Sequence, residues 1–506
     1  MPPTQTLPVD PELTPQLRAV HGRTFFGHPR GLATLFLTEM WERFSFYGMR
    51  SLLVLYLVAP VSDGGLGFGT ATAAAVYSVY NAMVYLLTLP GGWVSDRLWG
   101  AHRTVLVGGC TIMAGHFLLA VPGEGWFFAG LGLVAVGSGL LKANISTMVG
   151  HLYPDRNDPR RDGGFTVFYM GINLGAFAAP LVVGTVGQRV DWRLGFALAG
   201  LGMALGLVQY LLGGRRLSRA SRVVGAPLPP AERAAVLRRA ARWTALAVAF
   251  YAVVVGSGHY TIAWVIRPLT VVGLVVPALV LLRMKRDKEL DAEERHRLSG
   301  YVYFFLAAAV FWMIYDQSGS TLTVFATEDT RTRLFGLGFP SSWFQSLNPL
   351  LVMALAPVAA WLWVRLARRG RNPGTAAKFG CGLLLIGLSF GVMMLAMAAA
   401  SGGARVSPLW LAAVYLVQTV GELALSPVGL SVTTKLAPVK YAGQMMGVWF
   451  LASTVGDSLA AVLQQLVGSA FLSTVSFALQ GVLALLVGAA VLVNRWRITG
   501  LLGGVR

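Results

Sequence analysis

Glu39-Met40-Trp41-Glu42-Arg43-Phe44-Ser45-Phe46-Tyr47-Gly48-Met49-Arg50 sits inside an apolar run that extends from Gly31 to Val58. A run of that length can cross a bilayer as a helix, which needs roughly 20 residues. It nevertheless carries four charges, each costing about 2.5–3.5 kcal/mol at mid-bilayer. The charged and aromatic positions 39, 42, 43, 46, 47 and 50 are spaced by threes and fours, so one helical face collects them all. The opposite face is Leu, Met, Val and Trp. This stripe reads as a helix with one side turned to a wet interior and the other to lipid or protein. A simple structural ion pair between Glu39 and Arg43 would leave Glu42, Tyr47 and Arg50 unexplained.

The rest of the chain has the same character. Of 506 residues, 55% are hydrophobic and 12% charged, about half the charged share of a soluble domain. Apolar runs are read at 31–58, 71–95, 103–121, 126–149, 165–187, 193–213, 243–263, 267–283, 299–325, 342–365, 375–400, 408–434, 441–465 and 471–494. The formal charge of +19 does not point to nucleic acid, because the basic residues crowd into alternate loops. Loops 59–70, 122–125 and 466–470 carry no Lys or Arg; loops 96–103, 150–164, 214–242, 284–298, 366–374 and 435–440 are rich in them. Fourteen spans with both termini cytoplasmic fit this pattern, in a cell membrane. Twelve would also fit if the pair at 243–283 lay outside the bilayer, but both members are apolar enough to insert. The expected fold is an all-α polytopic membrane protein of two six-helix bundles plus an extra helix pair. Its divisions are a cytoplasmic tail 1–30, a bundle 31–213, a basic linker with the extra pair 214–298, a bundle 299–494 and a cytoplasmic tail 495–506. Two bundles suggest the major facilitator arrangement, with a substrate site at mid-depth between the halves.

Enzyme chemistry finds no support. The histidines at 21, 28, 102, 116, 151, 259 and 296 have no paired metal-ligand spacing, and the glycine-rich piece Gly64–Gly67 lacks a strand–helix context. Cys110 and Cys381 each lie in an apolar run and form no disulfide framework. No cofactor, metal or obligatory protein partner is expected; the driving force would be a proton gradient. The arginines of 214–242 read as an anchor near anionic lipid.

Four more charges fall inside spans: Lys142, Asp316, Glu422 and Asp457. Such residues are functional candidates by default. Depth, at about 1.5 Å per residue, pairs Arg50 with Asp316 in the outer half and Lys142 with Glu422 further in. These two pairs are expected to act as alternating latches. Glu39, Glu42, Asp316 and Glu422 against Arg43, Arg50 and Lys142 leave one negative charge over, so a zwitterionic substrate would require one proton more for neutrality.

The motifs along the chain resemble those of the proton-coupled oligopeptide transporter family. Glu39-x-x-Glu42-Arg43-Phe44-x-Phe46-Tyr47-Gly48 resembles its first-helix ExxERFxYYG motif. Phe168-Tyr169-Met170-Gly171-Ile172-Asn173, Phe311-Trp312-x-x-Tyr315-Asp316-Gln317, Gln345-Ser346-Leu347-Asn348-Pro349 and Gly421-Glu422-x-x-x-Ser426-Pro427 resemble segments of its fifth, seventh, eighth and tenth helices. The resemblance implies import of di- and tripeptides with protons. Another small solute on the same fold (nitrate, a modified amino acid, a drug) is the alternative. It further implies proton coupling at Glu39, Glu42, Arg43 and Asp316. Peptide contacts fall to Arg43, Tyr47, Tyr85, Lys142, Asn173, Trp312, Asn348, Glu422, Trp449 and Ser453. Arg50 with Asp316 would form the outer gate. Phe46 and Asp316 depart from the family's usual Tyr and Glu, and Asp457 is an acid outside its pattern.

Overall fold

A computed structural model describes residues 24–501 except 154, 156, 157 and 159. The tail expectations and His21 therefore fall wholly or partly outside the described residues. The chain is helical almost throughout. In order come α1 (Gly31–Val58), α2 (Thr70–Trp99), α3 (Ala101–Leu119), α4 (Glu124–Gly150), α5 (Arg160–Arg189) and α6 (Trp192–Gly213). A second run comprises α7 (Pro230–Gly256), α8 (Ala263–Lys285), α9 (Ala292–Glu328) and α10 (Ser341–Arg368). The last are α11 (Thr375–Ala400), α12 (Leu409–Lys435), α13 (Ala442–Val467), α14 (Thr474–Val493) and the short α15 (Arg495–Leu501). A small antiparallel hairpin, β1 (Arg333–Leu334) with β2 (Leu337–Gly338), links α9 to α10.

Among the described residues, twelve helices are long and apolar enough to cross a membrane. α1 and α3 are not among them: α1 for its four charges, α3 because His102, Arg103 and His116 lower its mean hydropathy. With these two the long helices among the described residues number fourteen, a number that fits the expected spans.

Several boundaries differ from expectation: α5 begins at Arg160 rather than 165, and α7 ends at Gly256 rather than 263. α7 begins at Pro230, not near 243, so half of the basic linker is helical. Proline at the first helical position and Glu232 in the first turn are a sound start signal. α9 begins at Ala292, not near 299, because Asp291 and Glu294 form a capping box: the Asp291 carboxylate accepts from the Glu294 N–H at 2.6 Å. α8 begins at Ala263, a few residues before the expected 267.

The buried apolar side chains divide into two cores. One is built by α1 to α6, with Phe127, Phe196 and Tyr210 among its largest members. The other is built by α9 and α11 to α14, with Phe304, Phe311, Phe379 and Phe390. Tight backbone approach holds each together. A Cβ on Gly137 of α4 would lie 2.6 Å from the Gly108 carbonyl oxygen of α3, so small residues set the helix separation. α8 packs along the seam between α2 and α13, whereas α7 stands out with Trp243, Leu246, Val253 and Val255 exposed.

α2 breaks at Leu87, and α5 and α9 are interrupted as well. Pro180 cannot donate to the helical ladder, and α5 widens into a π turn over Pro180–Gly184. α9 tightens to a 3-10 turn at Asp316–Gly319 before resuming at Thr321.

Candidate functional site

α1 lays its charged stripe along the interior, as its spacing required. Glu39, Glu42, Arg43 and Arg50 are all buried. Arg43 Nε donates to Glu42 Oε2 and lies 3.2 Å from Glu39 Oε1. Gly175 of α5 permits this helix to come close, since a Cβ there would meet the Met40 carbonyl and, at 3.1 Å, Arg43 Cβ. The cluster is not self-sufficient. Glu39 Oε2, Glu42 Oε1 and Arg43 Nη2 are buried without a hydrogen-bond partner among the described residues. Leaving such groups unpaired is costly unless something else binds there.

Two turns along α1, Arg50 Nη2 lies 3.6 Å from Asp316 Oδ1 and donates to Ser318 Oγ at 3.0 Å. Its guanidinium also faces the rings of Tyr47 (5.5 Å) and Tyr77 (5.6 Å). The depth match between Arg50 and Asp316 is thus a contact between α1 and the break in α9. More polar bonds join α5 to α10 on this side. Gln188 Nε2 donates to Ser341 Oγ at 2.8 Å, Trp343 Nε1 to Thr185 Oγ1 at 2.8 Å, and Ser346 Oγ to the Phe177 carbonyl at 2.8 Å.

The second expected latch is not made. Lys142 Nζ sits 3.7 Å above the Tyr85 ring and 5.6 Å from that of Phe450. Glu422 Oε2 instead accepts from Tyr315 Oη at 2.7 Å and from Asn348 Nδ2 at 3.0 Å. Depth along a helix says nothing about azimuth, and two neutral donors of its own half already satisfy Glu422. Asn348 also donates to Thr419 Oγ1 at 3.1 Å, which fixes its amide.

The other candidates scatter more. Asn173 is buried and donates to the Tyr169 carbonyl within α5. Trp312 stands edge-on to Tyr315 at 5.2 Å, with its indole N–H unpaired among the described residues. Trp449 is buried in the second core, pressed on Gly429, where a Cβ would clash with the indole, and edge-on to Phe379 at 6.3 Å. Ser453 is also buried. Spacing alone did not single out Tyr315, Phe450 or Thr419. Tyr315 lies directly before Asp316, and its partnership with Glu422 is a tertiary fact.

A cavity of about 1270 Å³ runs from Tyr169 and Glu422 at mid-helix to Lys378, Lys435 and Arg495 at the basic-loop ends. The site is therefore reached from the face that carries the basic loops, while Arg50 and Asp316 meet on the other side. Glu422 lines this cavity as an acceptor for an ammonium, and the charges of α1 with Lys142 supply donors for a carboxylate. That arrangement suits a small zwitterion.

Comparison with known proteins agrees with this chemistry. The family model described as POT family matches residues 102–482. An uncharacterised transporter, YclF, of Bacillus subtilis is 45% identical over 451 residues, covering 88% of this chain and 89% of its own length. The di-/tripeptide transporter of Lactococcus lactis subsp. cremoris is 42% identical over 497 residues, 96% of this chain and 98% of its own. Among solved structures, a peptide transporter POT in complex with sulfate superposes with a TM-score of 0.90 at 42% identity, covering 98% of this chain and 99% of that one.

Proposed function

We propose, from the premise that this chain belongs to the POT family, that it imports di- and tripeptides together with protons by alternating access. The fold is the major facilitator type and the chain is a membrane transporter, not an enzyme. The observation that carries the substrate reading is the incomplete pairing around Arg43. A buried guanidinium N–H and two buried carboxylate oxygens stand without partners among the described residues.

The proposed cycle uses this chain's own groups. The peptide carboxylate takes the free N–H of Arg43 and draws Lys142 from the Tyr85 ring. Its amino group goes to Glu422, which Tyr315 and Asn348 hold ready. Asn173 and Asn348 bond the peptide backbone, and Tyr47, Tyr85, Trp312, Trp449 and Ser453 shape the side-chain pockets. A proton on Glu39 or Glu42 loosens its hold on Arg43. A proton on Asp316 cancels the attraction for Arg50, and the outer side opens. The bundles 31–213 and 299–494 move about the central site, with 214–298 as the connecting segment. The basic-loop face and both termini are assigned to the cytoplasm, in the cell membrane.

Dialanine uptake into liposomes under an imposed pH gradient tests the reading. Native protein accumulates dialanine, and the accumulation collapses with the gradient. Glu42→Gln loses gradient-driven accumulation but retains peptide exchange. Native protein indifferent to dialanine, or to the gradient, would overturn it.

A further inference from the structure

Asp457 is the one intramembrane acid that this cycle leaves unused. It is 1% exposed, and among the described residues it has no basic partner within ion-pair distance. Its Oδ2 accepts from Asn81 Nδ2 at 2.8 Å, across the seam between α2 and α13. Asn81 is itself buried. Three residues before Asp457, Thr454 Oγ1 donates to the Ala82 carbonyl at 3.2 Å, so the seam has two adjacent polar ties. Asn81 lies about 16 Å from the start of α2, and Asp457 about 15 Å from the end of α13, at 1.5 Å per residue. The tie is therefore near mid-depth. α8 closes the seam from outside, with Gly273 set against Ser458.

The neighbours on α2 give the tie its meaning. Four residues before Asn81, Tyr77 meets the guanidinium of Arg50. Four residues after it, Tyr85 lies beneath the ammonium of Lys142. On α13, Ser453 and Trp449 stand one and two turns from Asp457. Buried polar bonds in a mostly apolar seam fix register, because sliding by a turn would strand their partners, and of the two here only the Asn81–Asp457 bond joins two side chains.

We propose that Asn81 and Asp457 are positioning residues for transport: their bond pins α2 of the first core to α13 of the second, and so sets the relative height of the outer gate and the substrate residues. The uptake arm of the test rests on the peptide-transport reading; the distance arm does not.

Asp457→Ala and Asn81→Ala each lower dialanine uptake about tenfold, chiefly in maximal rate rather than KM, a change equal to about 1.4 kcal/mol. The double variant is no worse than either single one. Asp457→Asn keeps an acceptor for Asn81 and stays within about threefold of native. Exchanging the pair, Asn81→Asp with Asp457→Asn, restores uptake to the same range. Additive losses, an exchanged pair as poor as the single variants, or Asp457→Asn as poor as Asp457→Ala would overturn the pin. Where an alanine variant does not fold, Asp457→Asn and the exchanged pair decide. The second arm needs no peptide. With Cys110 and Cys381 changed to Ser, spin labels on cysteines at the exposed positions Ser62 and Leu337 report the spacing across the outer face. Asp457→Ala broadens that distribution toward longer distances, and the exchanged pair narrows it again; an unchanged distribution in Asp457→Ala would overturn the proposal. If native protein leaves dialanine unmoved, the transport reading falls while this arm still decides the pin.

Discussion

At the scale of single residues, the site separates groups that are satisfied from groups that are not. Glu422 has two donors, Tyr315 and Asn348, and makes no pair with Lys142. The acid is held in place by its own half and left facing the cavity. Hydrogen bonds to a charged group contribute about 1.5–3 kcal/mol. Tyr315→Phe removes one donor without changing the ring, so the apparent KM for dialanine should rise roughly tenfold with maximal rate and exchange kept. Steady-state uptake over a range of peptide concentrations checks this; an unchanged KM would show that Asn348 alone holds the carboxylate. The departures from the family pattern also act here. Phe46 lies with its ring 5.3 Å from the Arg43 guanidinium. Asp316 still reaches Arg50, at 3.6 Å, although its side chain is one methylene shorter than the usual Glu.

At the scale of the element, α9 shows how an interrupted helix makes a gate. Its 3-10 turn at Asp316–Gly319 presents Asp316 and Ser318 to Arg50. Gly319 supplies the room. A Cβ there would lie 2.5 Å from the Tyr77 ring and 2.7 Å from Arg50 Nε. Gly319→Ala must therefore displace Arg50 or Tyr77, an overpacking cost of about 1–3 kcal/mol. The expected outcome is folded protein whose uptake falls by about tenfold or more, measured beside its melting temperature. Native-like uptake would mean that the turn yields instead. Gln317 steadies the other side of the break by donating to Gln480 of α14 at 2.6 Å. The gate is thus anchored in the second core, while its tip and Val324 just beyond it meet the first.

For the whole molecule, the extra helices are tied to the second core at the basic-loop face. Lys440, just before α13, donates to Asp287 and Glu289 in the α8–α9 connection, each at 2.7 Å, and Tyr441 Oη donates to Asp287 at 2.5 Å. These bonds, the Lys440 one first, hold the Asp287 carboxyl well below the usual carboxylate range, and the two carboxylates hold the Lys440 ammonium above its usual value. A depressed acid contributes stability above its unfolded value, about pH 4, and loses it as pH falls through the lower folded value. A raised lysine contributes below its unfolded value, about pH 10, and loses it above. The tie should be constant between about pH 5 and 9. Asp287→Asn should then melt a few degrees below native protein by the same margin across that window, with the gap closing toward strong acid; a gap unchanged in strong acid would exclude the tie. Much of this molecule was legible in the sequence, because a span must be apolar for some twenty residues and any charge within it must face the interior. Hence the fourteen long helices, the α1 stripe and the Arg50–Asp316 depth match all followed from spacing. Helix starts fall ahead of the apolar runs where polar first turns precede them, at Pro230 and after the Asp291 cap. Partner choice across helices was legible for Arg50 with Asp316 but not for Lys142, Glu422 or Asp457. Whether Lys142 meets Glu422 or Tyr85, and whether Asp457 lies at the surface or against Asn81, depends on how separate helices rotate and approach. Packing of glycines and large side chains from distant parts of the chain decides that, and no periodicity within one helix records it.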